Sequence, residues 1–392
     1  MRTAIAVLVG GSLAVGLTFG QEPADENQPP DAATQAAILD LIGQLDEDSF
    51  KAREQAEKAL IDHGRAALAA LRNANTTARD PEVRSRAGRA ATAILLREHK
   101  QRIEAFLDAE QPPDDALPGW VRFRDQVGVS PRPTTMFSPR AKMMFVNWQR
   151  AEPELFMALE ADDDRFAELF TQRAAEISEA YRTKQPVPTA NNGAALFLAG
   201  EPSLAMNDRT QEHVVDVAYA FRQRYLDGTL YERNVPVGWI MRDDTTTLEV
   251  LAARTRIAKL TLSQEGIIPA RKILGSLAKN DKAFVDAMDT MLWLGTKQDL
   301  PQVEALFECG LSYFGSLEGK YRVEYRDIAL AAALKMTRQR CYEYGFPRAK
   351  EDSKYISSWI DCGFHDEATR EKAFARYAKW KSEQPPTTAP DE

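Results

Sequence analysis

A pattern that returns after 31 residues constrains this chain more than anything else in it. In LDEDSFKAREQAEKAL and ARDPEVRSRAGRAATAI, residues Ala52, Arg53 and Ala56 come back as Val83, Arg84 and Ala87. A recurrence of that length marks helix pairs that cannot bury their apolar faces alone and must stack on a neighbour. The first segment puts Ala52, Ala56, Ala59 and Leu60 on one helical stripe, with Asp48 or Ser49 as its N-cap and Gly64 where a helix end favours a left-handed residue. A short helix around Ala67, Leu68 and Leu71 follows. Asp80 and Pro81 then open a helix whose stripe is Val83, Ala87, Ala91, Ile94 and Leu95. Small residues on these faces let helices approach closely.

These residues, D-x-F-x-x-R-x-x-A, a Gly-bounded second helix and D-P-x-V-R-x-x-A, resemble HEAT-like repeats of the armadillo-type superhelix class over residues 34–98. The resemblance implies an all-α chain, a right-handed α-solenoid or helical array with an irregular central insertion. It also implies a structural ladder in which Asp48 and Asp80 meet Arg53 and Arg84 between repeats, and Arg326 with Ala329 restates the R-x-x-A element. Further along, A-A-L-F, L-G-x-x-x-D-L-P, R-D-I-A-L-A-A-A-L and Y-G-F resemble a group of exported bacterial proteins with a HEAT-like N-terminus. That wider likeness implies architecture and export and carries no chemistry.

Residues 1–20 read as a secretory signal: Arg2 supplies the positive charge, Thr3 to Phe19 is apolar or small, and Thr18 and Gly20 fit a peptidase site. An uncleaved N-terminal anchor is the alternative reading. No later segment is apolar enough to span a membrane. The chain is 44% hydrophobic with a net charge of −8, the profile of a globular protein, and it argues against a nucleic-acid partner. Export gives Cys309, Cys341 and Cys362 an oxidising surrounding, in which Cys341 and Cys362 are the candidate disulfide and three buried thiols the alternative.

The chain then divides into a disordered linker at 21–33, HEAT-like helices at 34–107 and a Pro-rich ordered connector at 108–140. A helical repeat-like domain follows at 141–350 with an irregular section at 186–247, then a C-terminal helix region at 351–384 and a disordered tail at 385–392. Within the connector, Trp120, Phe123 and Val127 lie on one face of a short helix, and the run AALFLAG at 194–200 reads as a buried helix. Gly266, Gly275 and Gly295 are expected to close helices, and Asp299 to open one before Pro301. Asp366 is the N-cap of the last helix, with Ala368, Phe374, Tyr377 and Trp380 as its contacts.

Chemistry is thin. His63, His99, His213 and His365 have no partner at the spacing that gathers metal ligands on a helix, so no metal site is expected; His63 reads as a helix-end residue. The acidic group Glu160, Asp162, Asp163 and Asp164 lacks the glycine turn of a calcium loop and reads as a solvated cap. Asp244, or a threonine beside it, reads as another N-cap. No nucleophile elbow, phosphate loop or dinucleotide fingerprint appears, and no cofactor is expected. The leading expectation is an exported scaffold that binds a protein or peptide partner in the cell envelope, with Tyr219, Tyr225, Tyr231 and Trp239 as candidate anchors. The alternative is a carbohydrate-active hydrolase with a HEAT-like appendage, for which Tyr231 and Glu232 before Trp239 are the nearest signal. A bilin-lyase-like protein is a third reading, disfavoured by export.

Overall fold

A computed structural model describes residues 31–384 apart from 128–137, 162–164, 229, 245–246, 277–281, 310–311, 318–320, 352–354 and 357. The expected leader, residues 21–30 of the linker, Pro131 and Pro133 of the connector, Asp162 to Asp164, and the tail lie outside the described residues. The chain forms two compact units that divide between Glu98 and His99.

The first unit is built from α1 (Ala32–Gln44), α2 (Phe50–Asp62), α3 (Arg65–Thr77) and the first part of α4 (Pro81–Asp108). Asp31 caps α1 by accepting from the amides of Ala33 and Thr34, so helix begins two residues inside the expected linker. Ser49 caps α2, Gly64 sits at φ +61° between α2 and α3, and Asp80 accepts from Glu82 N at 2.6 Å to start α4. The core takes most of the expected stripes: Ala56, Leu60, Ala67, Leu68, Leu71, Val83, Ala87, Ala91 and Ile94 are buried together, while Ala52, Ala59 and Leu95 stay half-buried.

The expected ladder is replaced by two other devices. Arg53 Nη1 donates to the carbonyls of Glu47 and Asp48, and Arg84 Nη1 donates to those of Ala78 and Arg79. In each repeat the arginine reaches back five and six residues to brace the loop before its own helix, and its partner is a carbonyl rather than the carboxylate of Asp48 or Asp80. The contact that joins the repeats comes from Glu57 on α2, which accepts from Arg86 at 2.9 Å and from Arg89 at 3.0 Å on α4. Arg86 is buried and lies over the Phe50 ring. Arg326 does not repeat the carbonyl brace; it pairs with Glu324 at 2.7 Å and Glu367 at 2.8 Å.

The second unit continues with α5 (Trp120–Gln126), α6 (Pro139–Ala151), α7 (Pro153–Glu160), α8 (Arg165–Arg182), α9 (Thr189–Leu198) and α10 (Asp208–Ala220). Three short helices follow, α11 (Arg222–Asp227), α12 (Leu230–Asn234) and α13 (Val237–Met241), before α14 (Leu248–Thr261), α15 (Ile267–Gly275), α16 (Lys282–Leu294) and α17 (Leu300–Glu304). A hairpin of β1 (Ser312–Leu317) and β2 (Tyr321–Glu324) leads to α18 (Tyr325–Met336), and α19 (Glu367–Ser382) ends the described chain. The hairpin is antiparallel, with Ser312 opposite Glu324 and Leu317 opposite Tyr321. It is an addition to an otherwise helical protein, in a stretch where tyrosine, phenylalanine and valine favour pleated backbone.

Two cores share α14. Val250, Ala253, Ile257 and Ala258 face an aromatic core that includes Trp120, Phe123, Phe145, Trp148 and Phe197, while Leu251 and Ala252 face a second core of α15, α16 and α18. The short helix at Trp120, Phe123 and Val127 is buried in the first core, which therefore absorbs the connector instead of being linked by it. The 194–200 run is buried throughout, as its all-round apolarity requires.

Asp299 opens α17 before Pro301 and Gly275 ends α15, as expected, but other helix ends differ. Gly266 does not close α14; Leu262 does, at φ +57°, with Ser263 N bonded to Ala258 O and Leu262 N to Lys259 O. Lys184 after α8 and Arg338 after α18 hold the same left-handed position. Of the two caps expected for α14, Asp244 or a neighbouring threonine, the threonine holds the place: the N-cap is Thr247. Asp366 does cap α19, donated to by Thr369 N at 2.7 Å, but Ala368 is exposed and Ala373 takes its place in the core beside Tyr377.

Candidate functional site

A cleft of about 300 Å³ opens in the second unit between α6, the start of α9 and the turn that carries α11 and α12. Its first wall is one face of α6. Arg140, Met143, Met144, Asn147 and Trp148 follow the i, i+3, i+4, i+7, i+8 rule, so a single helix presents all five. Ala141, Phe145 and Val146 on the opposite side anchor that helix in the aromatic core. The remaining wall is Thr189, Ala190, Phe221, Arg224, Tyr231 and Glu232.

Position is enforced from behind. Trp148 is 2% exposed and packs edge-on to Phe123 at 5.3 Å and tilted on Phe197 at 5.5 Å. Its indole also crosses α9 at Gly193, where an added Cβ would stand 2.7 Å from Nε1, so only glycine lets this tryptophan lie flat against the helix. Asn191 fixes the start of α9 by donating to Ala151 O at 3.2 Å and to Glu152 Oε1 at 2.5 Å. Arg233 Nε donates to Tyr225 O at 3.2 Å and ties α12 to α11.

The charges are unevenly matched. Arg140 Nη2 lies 3.3 Å from Glu232 Oε1, with the carboxylate largely buried and the guanidinium mostly exposed. Arg224 donates only a long contact, 3.5 Å, to Thr189 Oγ1, and among the described residues it makes no ion pair. Two cations and one carboxylate therefore face an aromatic and thioether wall. Such a surface suits a ligand that is apolar with a negative group. Among the described residues Glu232 is the one carboxylate lining this cleft, so they offer two-acid glycoside hydrolysis no second group there. Among the described residues no three His, Cys, Asp or Glu side chains converge as for a metal ion. No described helix is long and apolar enough to cross a membrane.

The expected anchors separate. Tyr231 lines this cleft, and Tyr219 lines a neighbouring pocket. Tyr225 and Trp239 are 0% exposed and serve the core, because the helices that carry them turn those faces toward Phe221 and Arg254. Arg140, Asn147 and Arg224 were not anticipated. The α6 spacing was the available signal for the first two, whereas Arg224 reaches the cleft through a turn with no periodicity.

Around the site, buried arginines organise loops. Arg122 stacks 3.7 Å from the Phe197 ring centre, donates twice to Phe197 O and pairs with Glu201 at 3.0 Å; burial pulls its guanidinium down to about 10. Arg242 donates to the carbonyls of Glu201 and Leu204 and pairs with Asp244. Arg254 donates to Arg242 O at 2.7 Å and Gln211 Oε1 at 3.2 Å, and burial likewise pulls it down to about 10. Asp244 is thus a counter-ion within this network, the role that removes it from helix capping.

Cys341 and Cys362 are buried free thiols and are not joined, a correction to the candidate disulfide. Burial pushes Cys341 up to about 11 and Cys362 well above the usual thiol range. Exchange needs a thiolate, so these groups are inert as placed. His63 is the C-cap of α2, at the helix end where it was expected. Compared with models of known protein families, with curated proteins and with solved structures, the chain matches none.

Proposed function

We propose that this protein is an exported helical-repeat scaffold that binds a protein or peptide partner and performs no catalysis. The observation that carries the reading is the cleft itself: a methionine and aromatic wall faces Arg140 and Arg224, with Glu232 already committed to Arg140. Unbranched thioethers adapt to varied apolar side chains, and an unengaged guanidinium offers a fork to a carboxylate. An acidic, apolar peptide segment supplies both. The HEAT-like character is supported by the shared carbonyl brace of Arg53 and Arg84 and by the Glu57 link between α2 and α4. Export is supported by the charged and apolar character of residues 1–20.

The test is to pan a random peptide display library against the chain lacking residues 1–20. Enriched peptides should carry an acid next to large apolar residues. Arg224→Glu and Tyr231→Ala should each weaken the best peptide about 10-fold or more, the equivalent of roughly 1.4 kcal/mol. No enrichment, or peptides that bind both variants as they bind the parent, would sink the reading.

A further inference from the structure

We propose that the pocket on the other side of the α9 and α11 segments, about 530 Å³ in volume, is a binding site for a neutral sugar. This site is separate from the peptide cleft, and its ligand does not depend on what that cleft binds. The starting point is Asn192. This residue is 5% exposed and lines the pocket, and its Oδ1 has no hydrogen-bond donor among the described residues. A buried polar atom without a partner costs about 1–3 kcal/mol. An unmatched acceptor in the wall of a pocket is a place where a ligand that brings a donor gains a hydrogen bond. The terminal torsion of asparagine is soft, so the amide can turn either end to what enters.

The rest of the pocket specifies that ligand. Tyr219 accepts from Arg256 Nη1 at 2.9 Å, which fixes the phenol and leaves its O–H proton to donate. Gln185 adds a side chain that both donates and accepts, Gln223 keeps its carbonyl and one N–H beside the bond its Nε2 donates to Asp227, and Arg222 adds a donor fork. Among the described residues no carboxylate lines the pocket, so they give it no selectivity for a cation. At the rim Tyr181 is 41% exposed and offers a flat apolar face. Four groups that donate and accept, gathered in one small volume beside an aromatic ring, match a polyol: its hydroxyls do both at once and its C–H face packs on an aromatic. A peptide strand fits this density less well, because it spreads its N–H and C=O groups over about 3.3 Å per residue.

The experiment is calorimetric titration of the chain with glucose, galactose, N-acetylglucosamine, maltose and cellobiose, alongside Asn192→Leu and Tyr181→Ala. At least one sugar should bind with a Kd of about 1 mM or tighter. Asn192→Leu should weaken it about 10-fold or more while raising the Tm of the free protein, because the unmatched amide is gone. Tyr181→Ala, a change at an exposed position, should weaken binding several-fold and leave Tm unchanged. If none of the five binds more tightly than about 10 mM, or if both variants bind as the parent does, the proposal fails. It fails equally if a peptide selected from the display library, and no sugar, depends on Asn192.

Discussion

The paired arginine braces of the first unit contrast with the buried arginines Arg254 and Arg370 of the second, and the difference explains what can be read from a sequence. In the first unit Arg53 and Arg84 bond to carbonyls five and six residues back, so the whole interaction lies inside the repeating motif. In the second, Arg370 meets Asp327 43 residues away, and Arg254 meets Gln211 at the same separation. Local partners recur with the pattern that specifies them. Distant partners are set by the packing of helices that no short window contains.

The largest effect should come from the distant pairs. Arg370 is 4% exposed and grips fully buried Asp327 with two bonds, at 2.8 and 3.1 Å, while also lying near Glu324. Arg370→Met should cost about 3–5 kcal/mol at pH 7 in urea unfolding, because it strands a buried carboxylate. The loss should shrink on acidification. Burial pushes Asp327 up to about 6 even with Arg370 pulling it down and Glu324 N donating to it, and removing Arg370 takes away the strongest opposing pull. A carboxyl whose folded pKa exceeds its unfolded value of about 3.9 adds stability at low pH that is lost as pH rises through the folded value. The variant should therefore recover part of its deficit between pH 7 and pH 5. A deficit that stays constant across that window would mean Asp327 is not the stranded group.

Next come the local braces. Arg53→Ala and Arg84→Ala should each cost about 1.5–3 kcal/mol, the range for hydrogen bonds from a charged donor, and the two values should agree closely because their geometry does. Asp48→Ala should do little. A large effect of Asp48→Ala, or a wide gap between the two arginine variants, would break the equivalence of the repeats. Glu57→Ala should cost more than Asp48→Ala, since Glu57 is the acceptor for both Arg86 and Arg89.

This contrast also marks how far the sequence could be read. Helix positions and most buried faces in 50–95 follow from period and caps, and so do the Trp120, Phe123 and Val127 face and the buried 194–200 run, whereas α1 starts inside the expected linker at a cap on Asp31. The site was half legible. Tyr231 and Glu232 stood out as an aromatic beside an acid, and Met144 and Trp148 followed the helical period. Arg224 and Asn192 did not, because a residue's entry into a pocket through an irregular turn, or its lack of a partner, depends on groups far off in the chain. The ladder was misassigned for a related reason: Asp48 and Arg53 are near in sequence, but a nearer carbonyl outcompetes the carboxylate for the guanidinium.

The smallest expected effect concerns helix ends, where this protein departs from the usual glycine. Leu262 holds a left-handed conformation at φ +57° and is 57% exposed, closing α14 by the paired bonds from Ser263 N to Ala258 O and from Leu262 N to Lys259 O. A side chain there is strained by about 1–2 kcal/mol, which glycine would relieve. Glycine also loosens the unfolded chain, at about 0.4–1 kcal/mol, and gives up the remaining contact of the leucine. The balance favours Leu262→Gly by roughly 0.5 kcal/mol, a rise of a degree or two in Tm for a unit of this size. A fall in Tm would show that the contacts the leucine side chain keeps at this helix end outweigh the strain of its left-handed backbone, so that packing decides here what backbone preference does not.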